Sequence, residues 1–367
     1  MKIALIGTDG LPARYGGFET FVEQLAPRLV TEGHIVRIIG SSKGRISGIK
    51  PQIHGVEIIN INLSANGVSS VLFDLLSFIR VMFWADGIIL LGISAGIFLP
   101  VMRRFTKKSR LVINIDGKES QRSKWNSLQK SFASWSELVA VRSAPAVVAD
   151  NEGIAKILSD RYQRQASVIA YGGDHVQRLD TDTADEILRT HFSLTPSSYA
   201  LTVARAEPEN HIIEMIEGFL KSKIPTYALV SNFDATPYGR AIKDRYQNER
   251  RILMIESNYK ASDLASLRSR CLVYIHGHSA GGTNPSLVEM LPYARPILAW
   301  DCEFNRFTLH DECGYFNSVS NLTKLLMSEQ FRKFIPSTGL ITDPAYNWNC
   351  ITSSYIKLIK SLPVRSQ

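Results

Sequence analysis

The residues best suited to chemistry lie in the segment 276–289, which reads HGHSAGGTNPSLVE. A short apolar run precedes it and helical spacing begins near Ser286, so Gly281 and Gly282 stand between a predicted strand and a predicted helix. Free backbone N–H groups at the start of a helix favour anions such as phosphate. Glu289, one turn into the helix, could accept hydrogen bonds from two ribose hydroxyls, although a lone first-turn Glu commonly only balances the helix dipole.

Two histidines flank the glycines of this segment. His276 ends the predicted strand and His278 lies in the loop, so a core role is less expected than for a histidine in the middle of a strand. They could be metal ligands, but no third ligand with suitable spacing is evident, and we expect no metal.

An arginine follows another predicted strand, YALTVAR, within the segment VARAEPEN. Arg205 at such a strand end could hold a diphosphate through two parallel hydrogen bonds. The alternative is an ordinary surface salt bridge.

The first strand, KIALIG, leads into a long loop that contains Gly16 and Gly17 and precedes a predicted helix. This glycine pair lets backbone approach a ligand closely, or serves only the turn. The loop lacks the GxGxxG fingerprint, and the second strand closes on Gly40-Ser41-Ser42 with no acidic residue. Both features argue against a dinucleotide-dependent dehydrogenase.

Two further strand ends carry polar groups. The strand RLVINID ends at Asp116, with Lys118 and Glu119 close behind, and PAVVAD ends at Asp150 and Asn151. Asp116 could orient an acceptor hydroxyl or take its proton. Each of these residues could equally cap the following helix.

Apolar β-rich runs alternate with amphipathic stretches along the whole chain, which predicts an α/β protein with parallel sheets and helices on both faces. The pattern restarts after the polar stretch 174–198. We therefore expect a first doubly wound domain at 1–180, a second at 181–345 and a final helix within 346–367. The expected strands are KIALIG, HIVRIIG, VEIINI, IILL, RLVINID, PAVVAD and ASVIAYG in the first domain, and YALTVAR, TYALVSN, ILMIES, LVYIHG and PILAWD in the second.

The charge of +8 is uneven along the 367 residues. Residues 1–180 hold 22 Lys and Arg against 15 Asp and Glu, whereas residues 181–367 hold 20 against 19. A basic first half suits an anionic partner, such as nucleic acid, an anionic lipid surface or a phosphorylated substrate, or it serves solubility alone.

The stretch 87–102 is apolar, but its sixteen residues fall short of the roughly 20 needed to span a bilayer. A basic run follows it and could touch an anionic membrane through Arg103, Arg104, Lys107, Lys108 and Arg110, unless it is a solvated helix end. The start of the chain is too short an apolar run for a signal peptide. Four scattered cysteines are typical of reduced thiols in the cytoplasm.

Taken together, the motifs resemble the GT-B glycosyltransferases of family 4, and within them the rhamnosyltransferase-like branch that builds bacterial surface polysaccharides. The resemblance covers nearly the whole chain and rests on YGGFET, NIDGKE with RSKW, ADNEGI, IAYGGD, VARAEPEN, HGHSAGGTNPSLVE and FNR. It implies two Rossmann-like domains facing a cleft, with the C-terminal helix crossing back to the first domain.

The resemblance also implies how the residues are used. The second domain would bind the nucleotide-sugar and the first the acceptor, with no metal and no cofactor, and the donor's anomeric configuration would be retained. Catalytic roles fall on Asp116 and Arg205. The donor-binding residues would be Gly16, Gly17, Arg205, Gly281, Gly282, Thr283, Asn284, Ser286 and Glu289. The acceptor side would comprise Tyr15, Asp116, Lys118, Glu119, Asp150 and Asn151.

Two positions depart from the broad family. Its first motif Glu falls on Gly281, and its Lys five residues after the Arg falls on Asn210. The group that supplies the second positive charge is therefore open, with Lys260 and Arg306 as candidates.

These expectations describe a cytoplasmic glycosyltransferase, with dTDP-rhamnose as one donor and a saccharide or polyprenyl-diphosphate-linked acceptor at the inner face of the membrane. They imply no nucleic-acid partner. Two alternatives stay open: a nucleotide-sugar epimerase of the same architecture, which would turn over the donor alone, and a non-catalytic nucleotide-sugar-binding protein.

Overall fold

A computed structural model describes most of the chain and divides it into two compact units. The described residues are 1–13, 16–42, 52–65, 67–105, 110–115, 127–257, 260–328 and 330–363. The first unit comprises Met1–Tyr171 and Asn347–Gln367, and the second comprises Gly172–Tyr346.

The first unit is built on an eight-stranded sheet of order β3-β4-β2-β1-β5-β6-β7-β8, in which only the β3–β4 pair is antiparallel. Its strands are β1 (Lys2–Ile6), β2 (Ile35–Ser41), β3 (Gln52–Ile53), β4 (Val56–Ile61), β5 (Gly87–Leu91), β6 (Arg110–Ile115), β7 (Ala146–Ala149) and β8 (Ser167–Val168). The helices between them are α1 (Gly17–Thr31), α2 (Ser70–Val81), α3 (Leu99–Phe105), α4 (Ser127–Ser143) and α5 (Glu152–Tyr162).

The second unit is built on a six-stranded, all-parallel sheet of order β11-β10-β9-β12-β13-β14. Its strands are β9 (Tyr199–Val203), β10 (Thr226–Ser231), β11 (Ile252–Glu256), β12 (Val273–His276), β13 (Ile297–Trp300) and β14 (Gly314–Phe316). Its helices are α6 (Thr181–Ile187), α7 (Ile212–Leu220), α8 (Pro237–Tyr246), α9 (Ala261–Arg270), α10 (Pro285–Val288), α11 (Glu303–Leu309), α12 (Val319–Met327) and α13 (Thr338–Ile341).

Burial explains why these runs form the elements they do. The central strands are buried on both faces and consist of continuous apolar residues, as in β5 and β9, because helices cover both sides of a parallel sheet. Helix α7 packs in the core of the second unit through four buried apolar residues at helical spacing: Ile212, Met215, Ile216 and Phe219. The predicted α/β class with two mostly parallel sheets is confirmed.

The predicted strand at 166–172 is wrong in length. Only Ser167–Val168 pairs, because the neighbouring strand β7 ends at Ala149, which is the partner of Val168. Beyond that point Ile169 N makes one last hydrogen bond, 2.9 Å to Ala149 O, and the chain leaves the sheet edge.

The units meet in sequence at Tyr171, ahead of the boundary that we placed at residue 180. The chain after Tyr171 is held inside the second unit: Gly173 N donates to Tyr346 O at 2.9 Å, and Tyr293 Oη donates to Gln177 O at 2.7 Å. The polar stretch 174–198 is also more ordered than a linker, since it contains α6 and a π turn, Leu188–Phe192.

The last helix, α14 (Trp348–Ser361), belongs to the first unit. Trp348 and Tyr355 are fully buried and pack around the ring of Phe21 in α1, with centroids 5.9 and 5.4 Å away. Asn114 Nδ2 at the end of β6 donates to Tyr355 Oη at 2.7 Å. The predicted return of the C-terminal helix to the first domain is confirmed.

The apolar stretch 87–102 is divided among three elements. It contains β5, a 3-10 turn at Gly96–Phe98 and the start of α3. Within the described ranges, no helix combines the length and the apolar character needed to cross a bilayer.

Candidate functional site

The second sheet brings two of the predicted segments to the same edge. Strands β9 and β12 are parallel neighbours, with Ala200 opposite Val273. Arg205 follows the first of these strands, and the loop 277–284 follows the second. The carboxyl edge of a parallel sheet is where ligands bind in doubly wound folds.

A buried asparagine joins these two loops. Asn210 Nδ2 donates to Arg205 O at 2.8 Å, and Asn210 Oδ1 lies 2.8 Å from His278 Nδ1. An amide oxygen only accepts, so His278 carries a hydrogen on Nδ1 and a second proton on Nε2 would make its ring a cation. Asn210 is thus a structural link at the position where the resemblance placed a lysine.

A third strand end is bound to the same loops. Asn305 Nδ2 donates to His278 O at 2.9 Å and to Trp300 O at 2.8 Å. The ring of His211 stacks on Trp300 with centroids 3.6 Å apart, and His211 Nε2 lies 2.9 Å from Ser279 Oγ. The ends of β9, β12 and β13 therefore form one hydrogen-bonded network.

Only glycine fits at position 277 of this network. A Cβ there would lie 2.1 Å from Asn210 O and 2.8 Å from Met215 Cε. Backbone therefore approaches backbone at this point, which holds Asn210 over the strand end.

We expect Gly277→Ala to destabilise the protein by about 1–3 kcal/mol, because the methyl group must displace backbone in a packed loop. Urea unfolding of the variant measures the loss. Gly33→Ala is a control for glycine replacement in open space, since its Cβ would meet nothing within 4 Å, although its φ of +79° adds backbone strain. An unchanged midpoint for Gly277→Ala would contradict the close packing.

The loop after β12 turns at a glycine into a short helix. Gly281 has a φ of +104°, which side chains other than glycine rarely adopt. Asn284 caps α10, since its Oδ1 accepts a hydrogen bond from Ser286 N at 2.9 Å. The helix has only four residues, so it offers individual N–H groups to a ligand and only a small dipole. Thr283 is buried beside the cap.

Glu289 is the centre of a charged cluster. One carboxylate oxygen accepts a short hydrogen bond from the buried Arg268 guanidinium, and the other lies 3.5 Å from His175 Nε2. Burial alone would raise the pKa of Glu289, but the charge of Arg268 and the contact with His175 outweigh it and lower the pKa below its ordinary value. Glu289 is therefore ionised at neutral pH.

Sequence reasoning missed Arg268 and His175. Arg268 lies in α9, where a basic residue near a helix end normally faces water, and His175 lies in the polar stretch 174–198, near the predicted domain boundary. Neither position carried a sequence signal, because the contact depends on the packing of 172–178 and α9 against α10. A Cβ on Gly173 would lie 2.1 Å from Val288 O, which shows how close that packing is.

His276 is buried at the end of β12, and its Nε2 has no hydrogen-bond partner among the described residues. Burial lowers the pKa of His276 to about 3, so the ring is neutral at physiological pH. A neutral, enclosed ring cannot supply the positive charge that a diphosphate needs.

Of the two candidates for a second cation, Arg306 is already paired. Its Nε and Nη2 donate to the two carboxylate oxygens of Asp301 at 2.7 and 3.0 Å, and its guanidinium lies 4.3 Å from the centre of the Tyr315 ring. Lys260 is exposed and precedes α9.

In the first unit, Gly16 and Gly17 begin α1 beside a carboxylate. Gly16 has a φ of +113°, and a Cβ there would lie 2.6 Å from Glu19 Oε2. Glu19 is a buried first-turn residue that already balances the helix N-terminus. A neutral hydroxyl-bearing ligand fits beside this carboxylate better than a second anion does.

The remaining predicted residues of the first unit have structural roles or lie outside the described residues. Asn151 caps α5, accepting a hydrogen bond from Gly153 N at 2.8 Å. Asp150 is buried, and its charge adds to the burial that raises the pKa of Tyr355 in α14. Four predicted residues fall outside the described ranges: Tyr15, Asp116, Lys118 and Glu119.

Comparison by sequence matches residues 1–174 to the family model described as "Domain of unknown function (DUF1972)". No curated protein matches the chain.

Comparison by structure gives matches over nearly the full chain. The sucrose-phosphate synthase of Thermosynechococcus elongatus has a TM-score of 0.80 at 16% identity, covering 98% of both chains. HepE of Anabaena, crystallised in complex with UDP, has a TM-score of 0.71 at 15% identity, covering 99% of this chain and 100% of its own. A glycosyltransferase of Rickettsia africae has a TM-score of 0.73 at 13% identity, covering 98% of both chains. The chain therefore has the GT-B fold of these glycosyltransferases.

Proposed function

We propose that this protein is a glycosyltransferase that takes a sugar from a nucleotide-sugar bound by its second unit. The observation that carries the proposal is the network at the carboxyl edge of the second sheet, where Arg205 and the Glu289 loop follow neighbouring strands. The whole-chain likeness to proteins such as HepE, whose crystals contain UDP, supports the same assignment.

The chemistry we assign follows from where charge develops. As the bond between the anomeric carbon and the diphosphate oxygen breaks, negative charge grows on the departing nucleoside diphosphate. Arg205 is the cation we assign to it, helped by backbone N–H groups of Gly281, Gly282 and Thr283. We assign His278 as a second donor through Nε2, because Asn210, which stands where the resembling family has its lysine, already accepts a hydrogen bond from Nδ1.

Glu289 is the residue we assign to the ribose. It is ionised, and each carboxylate oxygen has lone pairs beyond those used by Arg268 and His175. A ribose offers it two hydroxyl groups, whereas the deoxyribose of a dTDP-sugar offers one. The nucleotide preference of the protein therefore bears directly on dTDP-rhamnose as the donor.

On the first unit we assign Asp116 to the acceptor hydroxyl, whose proton it would orient or accept as the new glycosidic bond forms. Gly16 and Gly17, beside the Glu19 carboxylate, fit a sugar hydroxyl. We propose a saccharide or polyprenyl-diphosphate acceptor at the inner face of the membrane, transfer with retention and without a metal, and a role in surface polysaccharide synthesis.

Thermal-shift measurements with UDP, GDP and dTDP test the proposal. A ligand at 100 times its Kd is expected to stabilise the folded protein by about 2.7 kcal/mol. Arg205→Ala is expected to weaken the binding of the nucleoside diphosphate about tenfold to a hundredfold, because a charge-assisted hydrogen bond to the diphosphate is lost. The binding of the nucleoside without its phosphates is expected to stay unchanged. Arg240→Ala, which replaces an exposed arginine of α8, is the matched control. No shift with any nucleotide would contradict the proposal.

Activity separates an enzyme from a binding protein. With an acceptor extract, the wild-type protein is expected to release nucleoside diphosphate from its donor, and Arg205→Ala and Asp116→Ala are each expected to reduce that release by about a hundredfold or more. Binding without release would favour a non-catalytic protein, and an epimer formed from the donor alone would favour an epimerase.

A further inference from the structure

Three helices of the first unit share one face of its sheet. The connections β4–α2–β5, β5–α3–β6 and β6–α4–β7 all move in the same direction across the strand order. The connection β7–α5–β8 moves the same way, so right-handed crossovers put α2, α3, α4 and, at the sheet edge, α5 on one face and α1, whose connection runs the other way, on the opposite face. Helices α3 and α4 touch directly, since Arg103 donates a short hydrogen bond to Ser143 O.

This face exposes an unusual amount of apolar surface. Of the ten large hydrophobic side chains exposed among the described residues, six lie on these three helices or in the turn after α2. Phe83 is 81% exposed and Trp135 is 55% exposed. The six residues, here called the α2–α4 surface, are Leu72, Ile79, Phe83, Val101, Phe132 and Trp135.

Among the described residues, the exposed charges of α2, α3 and α4 are all positive, whereas α5 exposes Glu152 and Asp160 beside Lys156 and Arg161. Arg80, Arg104 and Arg142 are exposed. The three helices contain two acidic residues, Asp74 and Glu137, and both are buried. The α2–α4 surface, which combines exposed aromatic side chains with charge of one sign, suits an anionic, partly apolar partner.

The contacts in the structure decide which of the predicted basic residues are available to an anionic partner. Arg110, expected to lie on the membrane side, donates to Leu362 O at 2.9 Å and contacts Met1 Sδ, so it holds the end of α14. Arg103 is committed to Ser143. Asp86, an exposed acid after Phe83, accepts a hydrogen bond from Lys2 N at 2.8 Å. Lys107 and Lys108 lie outside the described residues.

We propose that the α2–α4 surface docks on an anionic lipid bilayer, with its aromatic and aliphatic side chains in the interfacial region and its arginines among the lipid phosphates. Tryptophan is favoured at that depth because its ring is apolar with one polar N–H. A second copy of the chain is a poorer occupant, because pairing this face with itself would bring the arginines of both copies together. The proposal deepens the proposed function by bringing a lipid-linked acceptor within reach, but vesicle binding needs no sugar transfer.

Vesicle flotation tests the proposal with the full chain. Binding to vesicles of phosphatidylglycerol and phosphatidylcholine is expected, with little binding to phosphatidylcholine alone and a decrease at high salt. Trp135→Ser is expected to lower the partition coefficient about tenfold or more. Arg104→Gln is expected to lower it about fivefold.

Two control variants match these changes in exposure and charge. Met327→Ser removes an apolar side chain that is also 55% exposed, and Lys357→Gln removes an exposed charge on α14. Both are expected to bind vesicles as the wild type does. The proposal would be overturned if the control variants lost as much vesicle binding as Trp135→Ser and Arg104→Gln do. Equal binding to neutral vesicles would overturn it too, as would a dimer of the wild type that Trp135→Ser dissociates. An unfolding midpoint of Trp135→Ser close to that of the wild type shows that the variant is folded, and it keeps this test separate from that of the proposed function.

Discussion

Arg268→Met is expected to lower the free energy of unfolding by about 3–5 kcal/mol, since it removes one partner of a buried ion pair and leaves the other charged. Glu289, whose side chain is 14% exposed, would keep its charge at neutral pH without the Arg268 guanidinium beside it, and His175 Nε2 lies 3.5 Å away. Urea unfolding at pH 7 measures the change. In Arg245→Met, which breaks the exposed pair with Glu217, the loss should stay within about 1 kcal/mol.

A double variant separates the structural role of this pair from its role in binding. Arg268→Met combined with Glu289→Met removes both charges and should recover most of the lost stability, because two apolar side chains pack where two ions had been. It should nevertheless lose the nucleotide-induced thermal shift if Glu289 holds the ribose. A double variant that is as stable as the wild type and still binds nucleotide would refute the ribose assignment alone.

The second large effect concerns pH and the buried ring of His276. Its folded pKa of about 3 lies below the ordinary value of 6.5, so the unfolded chain takes up a proton below pH 6.5 that the folded protein refuses. The contribution of His276 to the free energy of unfolding is thus unaffected above pH 6.5 and falls as the pH drops towards 3. Between pH 7 and pH 5 the loss from this one group should be about 2 kcal/mol, at about 1.4 kcal/mol per pH unit below the unfolded pKa.

Unfolding midpoints at pH 7 and pH 5 for the wild type and for His276→Leu measure this effect. The variant should be less sensitive to pH over this interval. Glu289 acts at lower pH, because its lowered pKa contributes stability that is lost only as the pH falls below its unfolded value. His310→Asn replaces an exposed histidine and should keep the wild-type dependence. The same pH dependence in His276→Leu would mean that another group is responsible.

The sequence predicted the elements whose burial pattern is uniform. Runs such as IILL and YALTV are enclosed by helices on both sides, so their apolar character alone identified β5 and β9. The three-residue strand β14 was missed because so short a run carries no period. Helix α8 was missed because its sequence, PYGRAIKDRY, is mostly polar and only Gly239, Ile242 and Tyr246 are buried.

The candidate site, like the fold, was only partly predictable from the sequence. Loops that join a strand to a helix were recognisable from glycines and caps, which is why Arg205 and the segment ending at Glu289 could be named. The partners of those residues come from distant segments: His175 lies before the second sheet, and Arg268 lies two turns into α9. Contacts of this kind are fixed by packing, and one sequence contains no record of it.

The division of the chain into units also sets an order of folding during synthesis. The second unit, Gly172–Tyr346, is continuous and can be complete once its last residue has left the ribosome. The first unit begins earlier but waits for α14, whose Trp348 and Tyr355 cover Phe21. Until then its sheet carries an uncovered apolar surface on the nascent chain, so the half that is made first is finished last.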